Sequence, residues 1–365
     1  MSRNISIEID GTRTEIPKGI TVKRALELNG YKTSKYPEKD SIFTPCETGG
    51  CWSCAVQVDG ELEPACVTTT KDGLTIKTSL PEDVTPRRIV SGFSGHPVGG
   101  VGTPWWLKME RRYIETAVFA AGCNFRCPQC QNWDITYQSS GKAYTPREAA
   151  VLMTAASKKY EVDRMAISGG ESTLNRRWLV QYVRELKALN PDENARIHVD
   201  TNASILTEDY IDELVGAGMT DVGPDLKGCH LETFVRITGV EDRPLAERYQ
   251  NTAWKAVKYL LQNYKEKVFT GVGIPYNKKL ISLREVREMG EKLSEIDPEV
   301  QVCVLDYRPE FKRLTLIKPR YHEMIEVHKR LRGTGLKTVL CQTERGHVGP
   351  ELQCDEGLPH PQPRK

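Results

Sequence analysis

The sequence is short of net charge, long apolar runs and compositional bias, and each shortage removes a class of function. Fifty-one basic against 49 acidic side chains leave a net charge of only +2 over 365 residues. That balance argues against a general coat for nucleic acid or for a membrane surface. No stretch of about 18 apolar residues occurs, so no helix is expected to span a bilayer. The opening Met-Ser-Arg-Asn-Ile-Ser-Ile-Glu-Ile alternates polar and apolar residues where a signal peptide has an apolar core. A cytoplasmic, reducing location is the resulting expectation. Glycine (29) and proline (21) are ordinary in amount, which excludes low-complexity and collagen-like chains. Cysteine, by contrast, is plentiful: 11 in all, four between residues 46 and 66 and three between 123 and 130. In a reducing compartment such clusters point to metal ligands or redox chemistry more than to disulfides.

Residues 1–80 read as a compact strand-rich unit. Asp10-Gly11 between alternating segments predicts a hairpin, Thr21 caps a short helix that Gly30 ends, and Ala55 to Val58 and Leu74 to Thr78 are short strands. Residues 81–113 mix Pro81, Pro86, Pro97 and Pro104 with Gly92, Gly95, Gly99, Gly100 and Gly102. They read as an irregular connector that Phe93, Trp105 and Trp106 tie down against a neighbouring surface. Over residues 114–345 strand and helix alternate, with strand-like runs at 114–120, 164–168, 196–201, 221–226, 268–274, 300–306 and 336–340. Capping boxes are expected at Thr145 to Glu148 and at Ser282 to Glu285. Six or seven such units predict an α/β fold with a parallel sheet and its chemistry at the carboxyl ends of the strands. Residues 346–365 read as a C-terminal tail, disordered from Gly357 onwards.

The segment Cys123-Asn124-Phe125-Arg126-Cys127-Pro128-Gln129-Cys130 follows the first strand of this alternating region directly. Its three thiolates reach three corners of an iron-sulfur cubane and leave one iron without a protein ligand; a zinc knuckle lacking its histidine, or a group of reactive thiols, is the alternative. The C-x3-C-x2-C spacing, with Ser168-Gly169-Gly170-Glu171 one strand later, resembles the radical S-adenosylmethionine (SAM) superfamily. Asp200-Thr201-Asn202, Asp225-Leu226-Lys227 and Cys130-Gln131-Asn132 are similar to segments of pyruvate formate-lyase activating enzymes and their relatives. The resemblance implies a partial (β/α)6 TIM-like barrel in which Cys123, Cys127 and Cys130 hold a 4Fe-4S cluster. It also implies that Gly169, Gly170 and Glu171 take the amino group of SAM. Gln129, Gln131, Asp200, Asn202, Asp225 and Lys227 would complete the SAM site, and Asp200, Thr201 and Asp225 would hold a monovalent cation. Two residues depart from the pattern. Gln129 stands where the family has an aromatic residue near adenine, a role open to Phe125, Trp133 or the main chain, and Ala203 replaces a glycine.

The earlier cluster is Cys46-x4-Cys51-x2-Cys54-x11-Cys66, with Gly49 and Gly50 allowing a tight fold around a metal. Its spacing matches two-iron ferredoxins, whose small α+β β-grasp domain the surrounding hairpin, helix and strands resemble; structural zinc is the alternative. Trp52 occupies a position where such ferredoxins often have glycine. Among the other cysteines, Cys303 reads as a buried strand residue. Cys229-His230 is a candidate for the reaction chamber, Cys341, His347 and Cys354 a candidate auxiliary metal group, and Tyr307-Arg308 a candidate contact to substrate or cofactor. Together these features predict a radical SAM enzyme that cleaves SAM reductively for hydrogen abstraction from a protein or peptide. Its 2Fe-2S domain would pass on electrons from a low-potential donor, with no membrane or nucleic-acid partner. The alternatives are action on a small molecule, and an electron-transfer or assembly protein whose barrel only docks a partner.

Overall fold

The computed structural model describes residues 4–108 and 113–352. The chain opens with β1 (Asn4–Ile9), β2 (Thr12–Pro17) and α1 (Val22–Leu28). The short pair β3 (Thr33–Ser34) and β4 (Ile42–Phe43) follows, then β5 (Ala55–Val58), β6 (Glu61–Pro64) and β7 (Thr75–Lys77). Asp10 and Gly11 turn the first hairpin at φ 47° and 83°, and the Thr21 side chain accepts from Arg24 N at the start of α1. Five strands form one sheet in the order β2-β1-β7-β5-β6. Ile5, Ile7, Ile9, Ile16, Val56 and Ile76 project from it onto Val22, Ala25 and Leu26 of α1, giving this unit a core of its own.

The second unit is built on a ten-stranded sheet. Strand β8 (Arg88–His96) lies within the stretch expected to be irregular, and it pairs antiparallel with β9 (Glu115–Ala120). After α2 (Trp133–Thr136) and β10 (Ala143–Tyr144), which pairs with β8, α3 (Pro146–Tyr160) leads to β11 (Arg164–Gly169). Then come α4 (Arg176–Leu189), β12 (Arg196–Thr201), α5 (Glu208–Ala217) and β13 (Asp221–Pro224). Helices α6 (Leu231–Thr238) and α7 (Arg243–Asn263) precede β14 (Phe269–Tyr276), α8 (Leu283–Ile296), β15 (Gln301–Asp306), α9 (Tyr321–Arg332) and β16 (Thr338–Thr343). Strands β9, β11, β12, β13, β14, β15 and β16 are parallel neighbours in that order, the arrangement expected of a partial barrel. The tail also departs from expectation, because β17 (Gly346–Val348) folds back antiparallel on β16. Among the described residues no helix is long and apolar enough to cross a membrane.

Alternate residues of each parallel strand face the helices, and Val118, Ile167, Val199, Val222, Val272 and Val304 form that core with Met153, Leu179 and Val257. The opposite face meets the connector. Gly100 lies against His198 and Asp200, and a Cβ on Gly102 or Gly271 would come 2.6 Å from the carbonyl of Val222 or Val101. Residues 100–102 therefore line the inner face of β12, β13 and β14, where glycine alone permits that approach. At the entry ends of the strands, fully buried Arg164 bonds Glu115 at 2.9 Å and Asp221 at 2.7 Å, and donates to Gly102 O at 3.0 Å. Arg196 adds a second pairing to Asp221 at 2.6 Å. Burial opposes ionisation of Asp221 and Glu115, but the charge of Arg164 and, for Glu115, the hydrogen bond to His198 hold both carboxyls below their usual range.

Candidate iron-sulfur sites

Four cysteines converge under the N-terminal sheet. Cys46, Cys51 and Cys54 are at most 1% exposed, and Cys66 is half-buried. The Cys46 sulfur meets those of Cys51 and Cys66, accepts from Thr48 N at 3.5 Å, and is held low by these bonds against its burial. Burial and the facing thiolates push Cys51 up, although Ser53 Oγ donates to its sulfur at 3.2 Å. Four convergent, largely buried sulfurs with no carboxylate or histidine among them fit a cationic iron-sulfur group, whose charge would let them be thiolates together.

The second set sits where β9 ends. Cys123 is 9% exposed, Cys127 and Cys130 are half-buried, and each thiol is raised first by burial. Cys127 reaches about 12 in spite of the opposing charge of Lys227. These three sulfurs likewise suit a cationic cluster, and neither histidine nor carboxylate accompanies them within the loop.

Around this loop the strand ends bring most of the predicted residues together. Gly170 N donates to Ala120 O and Glu171 N to Gly122 O, both at 2.8 Å, so the Gly-Gly-Glu turn is sewn to the cysteine loop. Glu171 is turned inward. Its carboxylate accepts from Thr173 N, Thr173 Oγ1 and Thr201 Oγ1, and from Asn202 N at 2.6 Å. The Asn202 side chain donates to Asn124 Oδ1 at 3.0 Å and lies 3.8 Å from the Cys123 sulfur. Asp200 Oδ1 is 3.0 Å from His198 Nε2. Asp225 pairs through Oδ2 with Lys227, while its buried Oδ1 has no hydrogen-bond partner. Lys227 also donates to Tyr307 Oη at 2.6 Å, and burial, with the charge of Asp225, leaves the Tyr307 phenol raised although Lys227 opposes the shift. Arg308 turns away to Asp306 at 3.9 Å.

Gln129 is buried and fixed, donating to Ile237 O at 2.8 Å and accepting from Arg313 at 2.9 Å, whereas Gln131 is exposed. Phe125 packs edge-on against Phe234 and Tyr249, and Trp133 stacks on Phe311 with a centroid distance of 5.5 Å. Of these two aromatics only Trp133 keeps an exposed face, 42% of its surface.

Several expectations are revised. Cys229 and His230 face the outer helix α8 instead of the chamber: both backbone N–H groups donate to Glu285 at 3.0 Å, and His230 pairs with Glu288 at 2.6 Å. The same contacts explain why the second capping box is only half formed. Ser282 accepts from Glu285 N, but the Glu285 carboxylate is committed to residues 229, 230 and 233. Cys341 is buried beneath α9 and pairs with Val348 across the hairpin, one register position from His347, and Cys354 lies outside the described residues. Cys303 is a buried strand residue, as expected.

The two cysteine loops touch. A Cβ on Gly122 would sit 2.9 Å from Cys51 N and 3.1 Å from Cys46 Cβ, and one on Gly50 would sit 2.7 Å from Ala121 Cβ. Arg126 spans the contact, donating to the carbonyls of Cys46 and Cys123. On the far side, Arg88 is wholly buried and donates to the carbonyls of Ala121, Glu171 and Ser172. Neither arginine has a spacing or motif that marks it in the sequence.

Comparison with known proteins agrees with this geometry. Residues 117–285 match the family described as the radical SAM superfamily, and residues 2–81 match the 2Fe-2S iron-sulfur cluster binding domain. A probable GTP 3′,8-cyclase of Saccharolobus islandicus is 31% identical over 119 residues, 33% of this chain and 36% of the relative. An NADH-quinone oxidoreductase component of Streptomyces coelicolor is 33% identical over 82 residues, 22% of this chain and 9% of the relative. The chain thus spans about a third of the first relative's length and about a tenth of the second's. Among solved structures, Streptococcus suis SuiB bound to S-adenosylmethionine aligns at 15% identity and a TM-score of 0.44, covering 57% of this chain and 44% of that one.

Proposed function

From a chain that carries a radical SAM domain behind a 2Fe-2S domain, and hence the 4Fe-4S cluster, SAM and 2Fe-2S cluster those domains imply, we propose an enzyme that cleaves SAM reductively and feeds the electron from its own N-terminal domain. In this reading Cys123, Cys127 and Cys130 hold the cubane, and Cys46, Cys51, Cys54 and Cys66 hold the two-iron cluster. Held by Cys123, Cys127 and Cys130, a 4Fe-4S cluster would supply the one electron for reductive carbon-sulfur cleavage of SAM to methionine, and the resulting deoxyadenosyl group would take a hydrogen atom from substrate. The rest falls to this chain's residues. The partnerless Asp225 Oδ1, with Asp200 and Thr201 at the adjoining strand end, offers oxygen ligands to a monovalent cation beside the SAM carboxylate. Glu171, bound to Thr201 and Asn202, fixes the turn that would meet the methionine amino group. Lys227 and Tyr307 place a positive charge close to Cys127.

The observation that carries the relay is the packing of Gly122 against Cys46 and Cys51. Such a contact makes delivery of the electron intramolecular and independent of collision. The substrate we favour is a protein or peptide presented at the strand ends, in keeping with the activating-enzyme-like segments. The likeness to a probable GTP 3′,8-cyclase supports a second reading, action on a small molecule. Anaerobic reconstitution with SAM and dithionite tests the chemistry: 5′-deoxyadenosine is the expected product, and its absence with both clusters verified would overturn the proposal. Incubation of unlabelled SAM with either the deuterated protein fraction or the deuterated small-molecule fraction of a cell extract then separates the two substrate classes by which fraction delivers deuterium to 5′-deoxyadenosine.

A further inference from the structure

Among the described residues Arg88 is the most completely buried arginine, at 0% exposed, and no carboxylate forms an ion pair with it. Its donors go to three carbonyls, those of Ala121, Glu171 and Ser172, and its Nε has no partner. A guanidinium is always charged, so a full positive charge lies buried without direct neutralisation. Its place explains it. Ala121 immediately precedes Gly122, which touches Cys46 and Cys51, and Ile89, the next residue of β8, donates to Gly50 O at 3.2 Å. Burial opposes the charge of Arg88, and among the groups that favour it Cys51 acts most strongly, followed by Glu171, Tyr210 and Cys46.

We infer that Arg88 is a positioning residue for electron transfer, whose fixed charge stabilises the reduced two-iron cluster at Cys46, Cys51, Cys54 and Cys66 while its hydrogen bonds join the strand end before Cys123 to the Gly-Gly-Glu turn. The inference rests on the proposed assignment of that cluster. A one-electron reduction adds a negative charge to the four-thiolate site, and a buried cation beside it favours the added electron, since low dielectric leaves the attraction poorly screened. The same guanidinium donates to Glu171 O, so the charge beside the donor site is held by the turn proposed for SAM.

An anaerobic redox titration of the reconstituted full chain, followed by the electron paramagnetic resonance signal of the reduced two-iron cluster, tests this. Arg88→Gln keeps hydrogen-bond donors but removes the charge. At the wild-type midpoint its reduced-to-oxidised ratio is expected to fall about tenfold, which is about 59 mV for a one-electron couple. Arg88→Lys keeps the charge and is expected to hold the wild-type midpoint, and it carries the test if Arg88→Gln fails to retain iron. An unchanged midpoint in Arg88→Gln, or an equally lowered one in Arg88→Lys, would overturn the inference and leave a purely structural clamp. A wild type without any two-iron signal would instead sink the cluster assignment, so the two failures are distinguishable.

Discussion

The two cysteine sites are built on opposite principles. The N-terminal set has four sulfurs, three of them sealed from solvent, supported by Thr48 and Ser53 and buttressed by a glycine-lined interface. The barrel set has three sulfurs, two of them half-buried, and opens at the strand ends toward Asp200, Asp225 and Lys227. A closed site with a full ligand count suits electron storage, because nothing need approach the metal. An open one suits chemistry, since a ligand can enter where the protein supplies none. Under the proposed cluster assignment, the difference supports electron flow from the sealed site to the open one.

The largest expected effect separates the sites by single cysteines. Cys127→Ala should abolish 5′-deoxyadenosine formation and leave the two-iron resonance intact. Cys51→Ala should erase that resonance and spare product formation when dithionite supplies electrons to the barrel directly. Product assay and spectroscopy on both variants check the pair. If Cys51→Ala also abolishes dithionite-driven product, the N-terminal domain has a role beyond delivery.

A smaller effect concerns the frame beneath the open site. Arg164→Met would leave Glu115 and Asp221 buried with less compensation, a loss expected at about 3–5 kcal/mol and measurable by denaturant unfolding. Both carboxyls have folded values below their unfolded ones, so their stabilisation is fully present above the ordinary carboxyl range near about pH 4 and is lost as pH falls through the lowered folded values. The variant should lose much of that acid dependence and keep the part that belongs to the N-terminal unit, where Glu47 beside Cys46 is held below the usual carboxylate range, against its burial, by Lys23 at 2.6 Å and Lys35 at 3.1 Å.

Next in size is the contact between the sites. Gly122 has φ 82° and no room for a Cβ, so Gly122→Ala forces an unfavourable backbone and a clash with Cys51. Overpacking of this kind costs about 1–3 kcal/mol. The expected signature is a lower thermal midpoint in both units, read by calorimetry, because Gly122 follows β9 in the barrel and packs on Cys46 and Cys51.

The same contrast explains what the sequence discloses. Ligand sets are local, so Cys46 to Cys66 and Cys123 to Cys130 stand out by spacing, and the seven parallel strands stand out because each is a short apolar run between helical patterns. The interface is non-local. Arg88 and Arg126 act through carbonyls more than 30 residues away or on another loop, a relation no spacing rule records. Likewise the glycines at 100 and 102 look like a linker in sequence, and only the assembled sheet shows that they are small because β12 and β13 press against them. Strand β8 is hidden for a related reason, since its glycines at 92 and 95 suit an edge with a bulge as well as a loop. Glu285 shows the reverse error: its spacing to Ser282 fits a capping box, yet a buried carboxylate serves the three donors of the neighbouring loop first.

The finest distinction between the sites lies in how each sulfur is solvated by the protein. Cys123 accepts from Phe125 N at 3.3 Å, a main-chain donor that mutation cannot remove, whereas Cys51 accepts from the Ser53 hydroxyl at 3.2 Å. Hydrogen bonds to cluster sulfurs favour the reduced state, so Ser53→Ala should lower the two-iron midpoint. The shift should be smaller than that of Arg88→Gln, because a neutral donor is weaker than a buried charge. Ser53 Oγ also contacts Leu174 O at 2.9 Å, and Ser53→Thr, which retains the hydroxyl, should restore the wild-type value. A titration in which Ser53→Ala and the wild type coincide would mean that the sealed site is tuned by charge alone, and the contrast with the open site would then rest on burial and ligand count.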